Sequence, residues 1–266
     1  GDMDRVAAIG FCCIDKYEGL GLSYPTGNGI DCIAHLSRRG IPCAAVSVVG
    51  TDEDGREMLR ALRGLGIDVS HMQVREGQTS VFEMRLLENN DRVHVHNTPG
   101  VMEHYAPTEE DIVFTQKFSY IHTDLFGHVL PLLPRLKEKG AKIILDFSIY
   151  ADDDNMRRLL PLVDYAFFSV GEGNRDKALA LLEKGKACGG SVMTATLGEE
   201  GSLTWDGQRL YVGQAVQARQ VVNTVGAGDS FIAGFMEGVI RGLDIPGCLQ
   251  NGAALAAQVV AQFNPY

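Results

Sequence analysis

The chain has 266 residues, and 24 Lys and Arg set against 34 Asp and Glu give a net charge of −10. That balance excludes a nucleic-acid binder with a basic face, although backbone amides can still hold a phosphate. Apolar residues make up 45 % of the sequence, enough for a sizeable core and too many for disorder or a fibrous repeat.

No apolar run reaches the roughly 18 residues of a membrane span. Gly1 and Asp2 precede Met3 and read as an appended remnant, and no apolar signal region follows them. Cys12, Cys13, Cys32, Cys43, Cys188 and Cys248 form no Cys-x-x-Cys pair. Their number and spacing fit reduced, buried thiols in a cytoplasmic protein.

In chain order, a short apolar strand is expected over 6–10, closed by Gly10. A helix follows over 28–39, with Ile30, Ile33 and Leu36 on one face. A buried strand is expected over 43–49. An amphipathic helix over 56–65 carries Leu59, Leu62 and Leu65 and stops at Gly66. Two strand-like runs, 81–87 and 93–96, flank the turn Asn89-Asn90-Asp91 and predict a hairpin. Strands over 120–123, 141–147, 165–169 and 191–197 then alternate with helices over 129–139, 153–160 and 174–188. Apolar helices over 231–240 and 246–262 finish the chain. This β-α-β rhythm predicts one α/β domain with a mostly parallel sheet and helices on both faces. The segments 11–24 and 79–100 break the rhythm and are expected to form a small β-flap lid over that sheet.

The strongest chemical signal is Asn223-Thr224-Val225-Gly226-Ala227-Gly228-Asp229-Ser230-Phe231. Small residues let the backbone approach a ligand, and free N–H groups at a helix start attract a phosphate. A carboxylate in the first turn can take a proton from a hydroxyl beside that anion site. An isolated Gly-x-Gly-Asp is usually no more than a capped helix start. Two further motifs supply context: Thr26-Gly27-Asn28-Gly29-Ile30-Asp31, and Thr196-Leu197-Gly198-Glu199-Glu200-Gly201.

In this order and spacing the three motifs resemble the PfkB/ribokinase family of sugar kinases, over essentially the whole chain. The resemblance implies a ribokinase-like three-layer α/β/α fold and Mg²⁺–ATP-dependent phosphorylation of a sugar-type small molecule. It implies Asp229 as general base, with Gly226, Ala227 and Gly228 as the anion hole. Asp15, Gly27, Asn28 and Asp31 would bind the sugar. Thr196, Gly198, Gly201 and Asn251 would contact the nucleotide, and Glu172 would sit near Mg²⁺ through water. The family's lids often pair between subunits, which implies a possible homodimer. Asn223 stands where the family has an acidic residue associated with a monovalent cation. Thr26 replaces a glycine, Asp31 an asparagine, and Ser169 a frequent asparagine.

Asn90-Asp91-Arg92-Val93, Gly100-Val101-Met102, Phe126-Gly127-His128 and Asp146-Phe147-Ser148 resemble the fructoselysine 6-kinase branch. That branch implies a fructose joined to an amino acid as acceptor. Arg92 could face its carboxylate and Asp31 its amine, while Asp124, His128 and Asp146 are further pocket candidates. The alternatives are a plain sugar or sugar acid (fructose, ribose, 2-keto-3-deoxygluconate) and a non-catalytic sugar- or nucleotide-binding regulator. Neither a P-loop nor a Gly-x-Gly-x-x-Gly is present, which disfavours a P-loop enzyme and an NAD-linked oxidoreductase. His94 and His96 share a strand face without a third ligand and read as lid residues rather than a metal site.

Overall fold

The computed structural model describes residues 5–88, 92–217 and 227–261. The first part of the chain runs β1 (Val6–Ile9), β2 (Cys13–Tyr17), β3 (Leu22–Thr26), α1 (Asn28–Arg38), β4 (Cys43–Val46), β5 (Val48–Gly50), α2 (Glu53–Gly64) and β6 (Gln73–Arg75). The middle adds β7 (Val81–Leu86), β8 (Arg92–Thr98), α3 (Glu109–Thr115), β9 (Tyr120–Thr123), α4 (Leu133–Leu136), β10 (Lys142–Ser148), α5 (Asp153–Leu159) and β11 (Tyr165–Ser169). The remainder is α6 (Arg175–Ala187), β12 (Val192–Thr196), β13 (Ser202–Trp205), β14 (Leu210–Gly213), α7 (Ala227–Ile240) and α8 (Ile245–Val260).

The main sheet has the order β14-β13-β12-β11-β10-β9-β1-β4. It is parallel from β4 to β12, and the β12-β13-β14 edge is antiparallel. Val6 pairs with both Cys43 and Tyr120, and Tyr120 with Lys142, so these strands start level. Their carboxyl ends therefore form one rim. The connections leave β1 first toward β4 and then toward β9, which makes the β1/β9 gap a topological switch point, the usual ligand crevice of such sheets. Helices complete a three-layer α/β/α arrangement, with α7 packed against both α1 and α8. Phe147, Phe168 and Phe235 are fully buried in its core.

A second, four-stranded sheet has the order β3-β2-β7-β8. Lys16 pairs with Asp54 at 2.8 Å and Ser23 donates to Glu57, so one face is tied to α2. Asp15 and Tyr17 alternate with Lys16 and share the opposite face.

Some elements differ from the sequence expectation. The strand expected over 43–49 is two strands: β4 joins the main sheet, and β5 pairs with β6. Between them Ser47 Oγ donates to the carbonyl of Gly10 at 2.5 Å. The helix expected over 129–139 shrinks to a 3-10 turn and the single turn α4, each holding a proline that lacks a donor. The short helix α3 was not signalled by periodicity, but a Thr108–Asp111 capping box starts it. The turn Asn89-Asn90-Asp91 lies outside the described residues.

Candidate active site

The switch point is built by close backbone approach. Gly10 ends β1 at φ +143°, where a Cβ would lie 2.5 Å from Asp124 Oδ2. The bare backbone lets Asp124 Oδ2 accept from Phe11 N at 2.9 Å, while Oδ1 accepts from Phe126 N and Gly127 N at 2.8 and 2.7 Å. Gly27, at φ +148°, starts α1 so close to Phe11 that a Cβ there would meet its carbonyl oxygen at 2.6 Å. This glycine aims the first turn of α1 at the same rim.

Four more carboxyl groups converge beside Asp124. Asp31 in α1 is buried and accepts from Thr26 Oγ1 at 2.7 and 2.8 Å. Asp146 near the end of β10 accepts from Ser148 N at 2.7 Å, and Asn28 Nδ2 lies 3.5 Å from its other oxygen. Asp15 on β2 is buried, with the Cys13 thiol 3.6 Å from its Oδ1. Asp229, in the first turn of α7, lies within hydrogen-bond reach of Asp31.

Loss of hydration raises every one of these groups. It pushes Asp15 up to about 6, against the weaker opposing Cys13 bond. It pushes Asp146 to about 6 as well, against the Ser148 amide and with help from Asp124. Asp124 is raised by burial despite its three amide donors. Asp31 and Asp229 are held well above the usual carboxylate range, by burial first, with Thr26 opposing at Asp31 and the Asp31 and Asp146 charges adding at Asp229. Clustered, protonation-sensitive carboxyls of this kind mark catalytic clefts more often than structural ones.

On the other side of α7's start is a cavity of about 600 Å³. Thr196, Gly198 and Gly201 line it, as do Ala227 and Gly228, and Glu172 stands at its edge. Glu172 Oε1 also accepts from Glu199 N at 3.2 Å, which fastens it to the turn after β12. Asp229 therefore follows directly on two residues that line the cavity and stands among the carboxyls of Asp31, Asp146 and Asp124. Asp229 and Ala227 are half-buried, and Gly228 is exposed. Gly226 and Asn223 lie outside the described residues, so the described part of the anion hole is the Ala227-Gly228 backbone.

Two residues singled out from the sequence stand elsewhere. Asn251 does not line the cavity. Its Nδ2 donates to Gly234 O and to Glu237 Oε1, each at 2.7 Å, and so locks α8 to α7. The cavity wall from α8 is instead Ala253, Ala256, Ala257 and Val260. Their i, i+3, i+4, i+7 spacing marks one helix face, but spacing alone does not say what a face meets. Arg92 starts β8 with its guanidinium over the Tyr17 ring, 5.6 Å from the centroid. That places it on the Asp15 face of the second sheet but two residues further along β2. His128 Nδ1 is 3.2 Å from Tyr105 O. His94 packs against Phe82 with ring centroids 4.8 Å apart. Among the described residues no group of three His, Cys, Asp or Glu could hold a metal ion. Nor is any described helix long and apolar enough to cross a membrane.

Comparison with known proteins places this geometry. Residues 22–266 match the model of the pfkB family carbohydrate kinases. The chain is 35 % identical to a fructoselysine 6-kinase of Shigella flexneri over 97 % of its own length and 98 % of the relative's. It is 34 % identical to a fructoselysine 6-kinase of Escherichia coli K12 over the same shares. Among solved structures, a ribokinase of Arabidopsis thaliana complexed with ribose and ATP superposes with a TM-score of 0.86 at 19 % identity. That likeness covers 99 % of this chain and 95 % of the other.

Proposed function

The chain belongs to the pfkB family of carbohydrate kinases, phosphotransferases that act on an alcohol group, and from that premise we propose that its acceptor is a fructosamine phosphorylated at the 6-hydroxyl. The observation that carries the reading is the full-length likeness to two fructoselysine 6-kinases. The pocket chemistry supports it: an amine on the sugar would meet the carboxyls of Asp15, Asp31 and Asp146. Arg92, on the Asp15 face, is the candidate partner for the substrate's own carboxylate.

Ribokinase-family kinases use ATP, and the cavity suits a nucleotide. Thr196, Gly198 and Gly201 would border its base and ribose, with small α8 residues as the opposite wall. The phosphate chain would run toward the amides of Gly226, Ala227 and Gly228, where the positive end of α7 favours negative charge. Asp229 accepts the proton of the attacking hydroxyl as the amides stabilise the transferring group. Asp15, Gly27, Asn28 and Asp31 hold the sugar. Mg²⁺ would neutralise charge on the phosphates. With no three-ligand protein site among the described residues, it fits as an ion carried by nucleotide and water, with Glu172 reaching it through water. Closure of the second sheet over the sugar would exclude water and suppress ATP hydrolysis. The β8 edge of that sheet, without a second pairing strand among the described residues, is the candidate surface for a homodimer.

The test is Mg²⁺–ATP-dependent ADP release with fructoselysine, other fructosamines, fructose, ribose and 2-keto-3-deoxygluconate. Release confined to fructosamines supports the proposal. Release with a plain sugar keeps the kinase and discards the acceptor. No release with any of them favours a sugar-binding regulator.

A further inference from the structure

Asp31 is the departure with a chemical consequence, because its carboxyl stands where the family resemblance has an amide. An asparagine here could donate a hydrogen bond to Asp229. An aspartate can meet the Asp229 carboxyl only through a proton. The two side chains come from separate helices, α1 and α7, that pack on each other, and they reach hydrogen-bond distance. Two carboxylates this close, one buried and the other half-buried, cannot both ionise cheaply, and they titrate as a pair.

We propose that Asp31 and Asp229 hold one proton between them, and that Asp31 thereby sets the pH at which Asp229 becomes a base. The inference rests on the kinase reading with Asp229 as base. It makes Asp31 a positioning residue for the proton rather than a group that touches the reacting hydroxyl. Thr26 Oγ1 donates only toward Asp31, 2.7 and 2.8 Å from its two oxygens, and stabilises negative charge there. The shared proton is therefore held on the Asp229 side. The other facing groups add to its retention. Asp15 of β2 and Cys32 of α1 border Asp31, while Asp146 near the end of β10 and Asp124 after β9 act on Asp229. All are acids, and each negative charge among them favours keeping the proton. The start of the α7 helix is the opposing influence.

Turnover requires this proton to leave first. The hydroxyl oxygen then forms its bond to phosphorus as the bond from phosphorus to the β-phosphate oxygen breaks. The hydroxyl proton passes to the freed Asp229 carboxylate, where Asp31 again shares it, and ADP departs with the bonding electrons.

The experiment is the pH profile of kcat/KM for the whole protein and for Asp31→Asn, with carbon-13 titration of the aspartate carboxyls in both, assigned with Asp229→Asn. The acid limb of the parent is expected above the ordinary carboxylate range. In Asp31→Asn the limb, normalised to the variant's own alkaline plateau, should move down by at least about one pH unit, a tenfold relative gain at the foot of the limb, whatever the height of that plateau. An unmoved limb overturns the proposal, whether the plateau is retained or lost, because a residue that only binds sugar would change KM alone. Absence of turnover with every acceptor would defeat the kinase reading instead. The carboxyl titration still decides the pair in that case: two linked steps in the parent and one step at lower pH in Asp31→Asn support it. Independent titrations unaffected by the substitution refute it.

Discussion

Asp15 lets the electrostatic cost of the pocket be measured apart from chemistry. It is 7 % exposed on β2, and the polar contact seen there is a thiol at 3.6 Å, a weak donor. Its carboxyl is pushed from 3.8 up to about 6, chiefly by lost hydration. A group raised in the folded state contributes its stability below the unfolded value and loses it as pH rises through the folded value. At about 1.4 kcal/mol per pH unit, ionised Asp15 costs the fold up to about 3 kcal/mol above pH 6, and we expect about 1–3. Asp15→Asn cannot ionise. Between about pH 4 and pH 8 it should gain that amount relative to the parent, roughly 2–8 °C in melting temperature for a chain of this size. Thermal unfolding by circular dichroism, without sugar or nucleotide, reads the difference at several pH values. The same variant should raise the KM for the sugar. A melting difference that does not change with pH, or a parent that gains on the variant as pH rises, would refute the reasoning.

Asp229→Asn should lower turnover by about 10²–10⁴-fold while leaving sugar binding by calorimetry nearly unchanged. Its melting temperature should hold or rise, since the change removes a carboxyl from beside Asp31. Asn251→Ala loses two 2.7 Å bonds between α8 and α7 and should cost about 1–3 kcal/mol in denaturant unfolding, with the KM for ATP within about threefold of the parent. Ala256→Phe, which fills the cavity, should instead raise the KM for ATP by more than about tenfold with stability little changed. Gly10→Ala places a methyl 2.5 Å from Asp124 Oδ2 at a φ of +143° and should destabilise by more than about 2 kcal/mol, with sugar turnover falling alongside.

The sequence by itself determined the features that local chemistry controls. Apolar periodicity and terminating glycines located β1, α1, α2 and the strands β9 to β12 to within a few residues, because each burial pattern is set by near neighbours. Gly226-Ala227-Gly228-Asp229 and its companion motifs named the family, because a motif is a run of neighbouring residues in the chain and needs no tertiary contact to be read. Only the tertiary structure decided what those residues meet. Asp15, Asp31, Asp124, Asp146 and Asp229 come from five separate segments, and strand register with the α1–α7 packing brings their carboxyls together. No spacing along the chain encodes that proximity, nor the lost hydration that raises all five. The fate of Asn251 was equally invisible. Two residues along α8, about 200° around the helix, separate Ala253, which lines the cavity, from Asn251, which ties α8 to α7, and only helix packing decides which face meets the cavity.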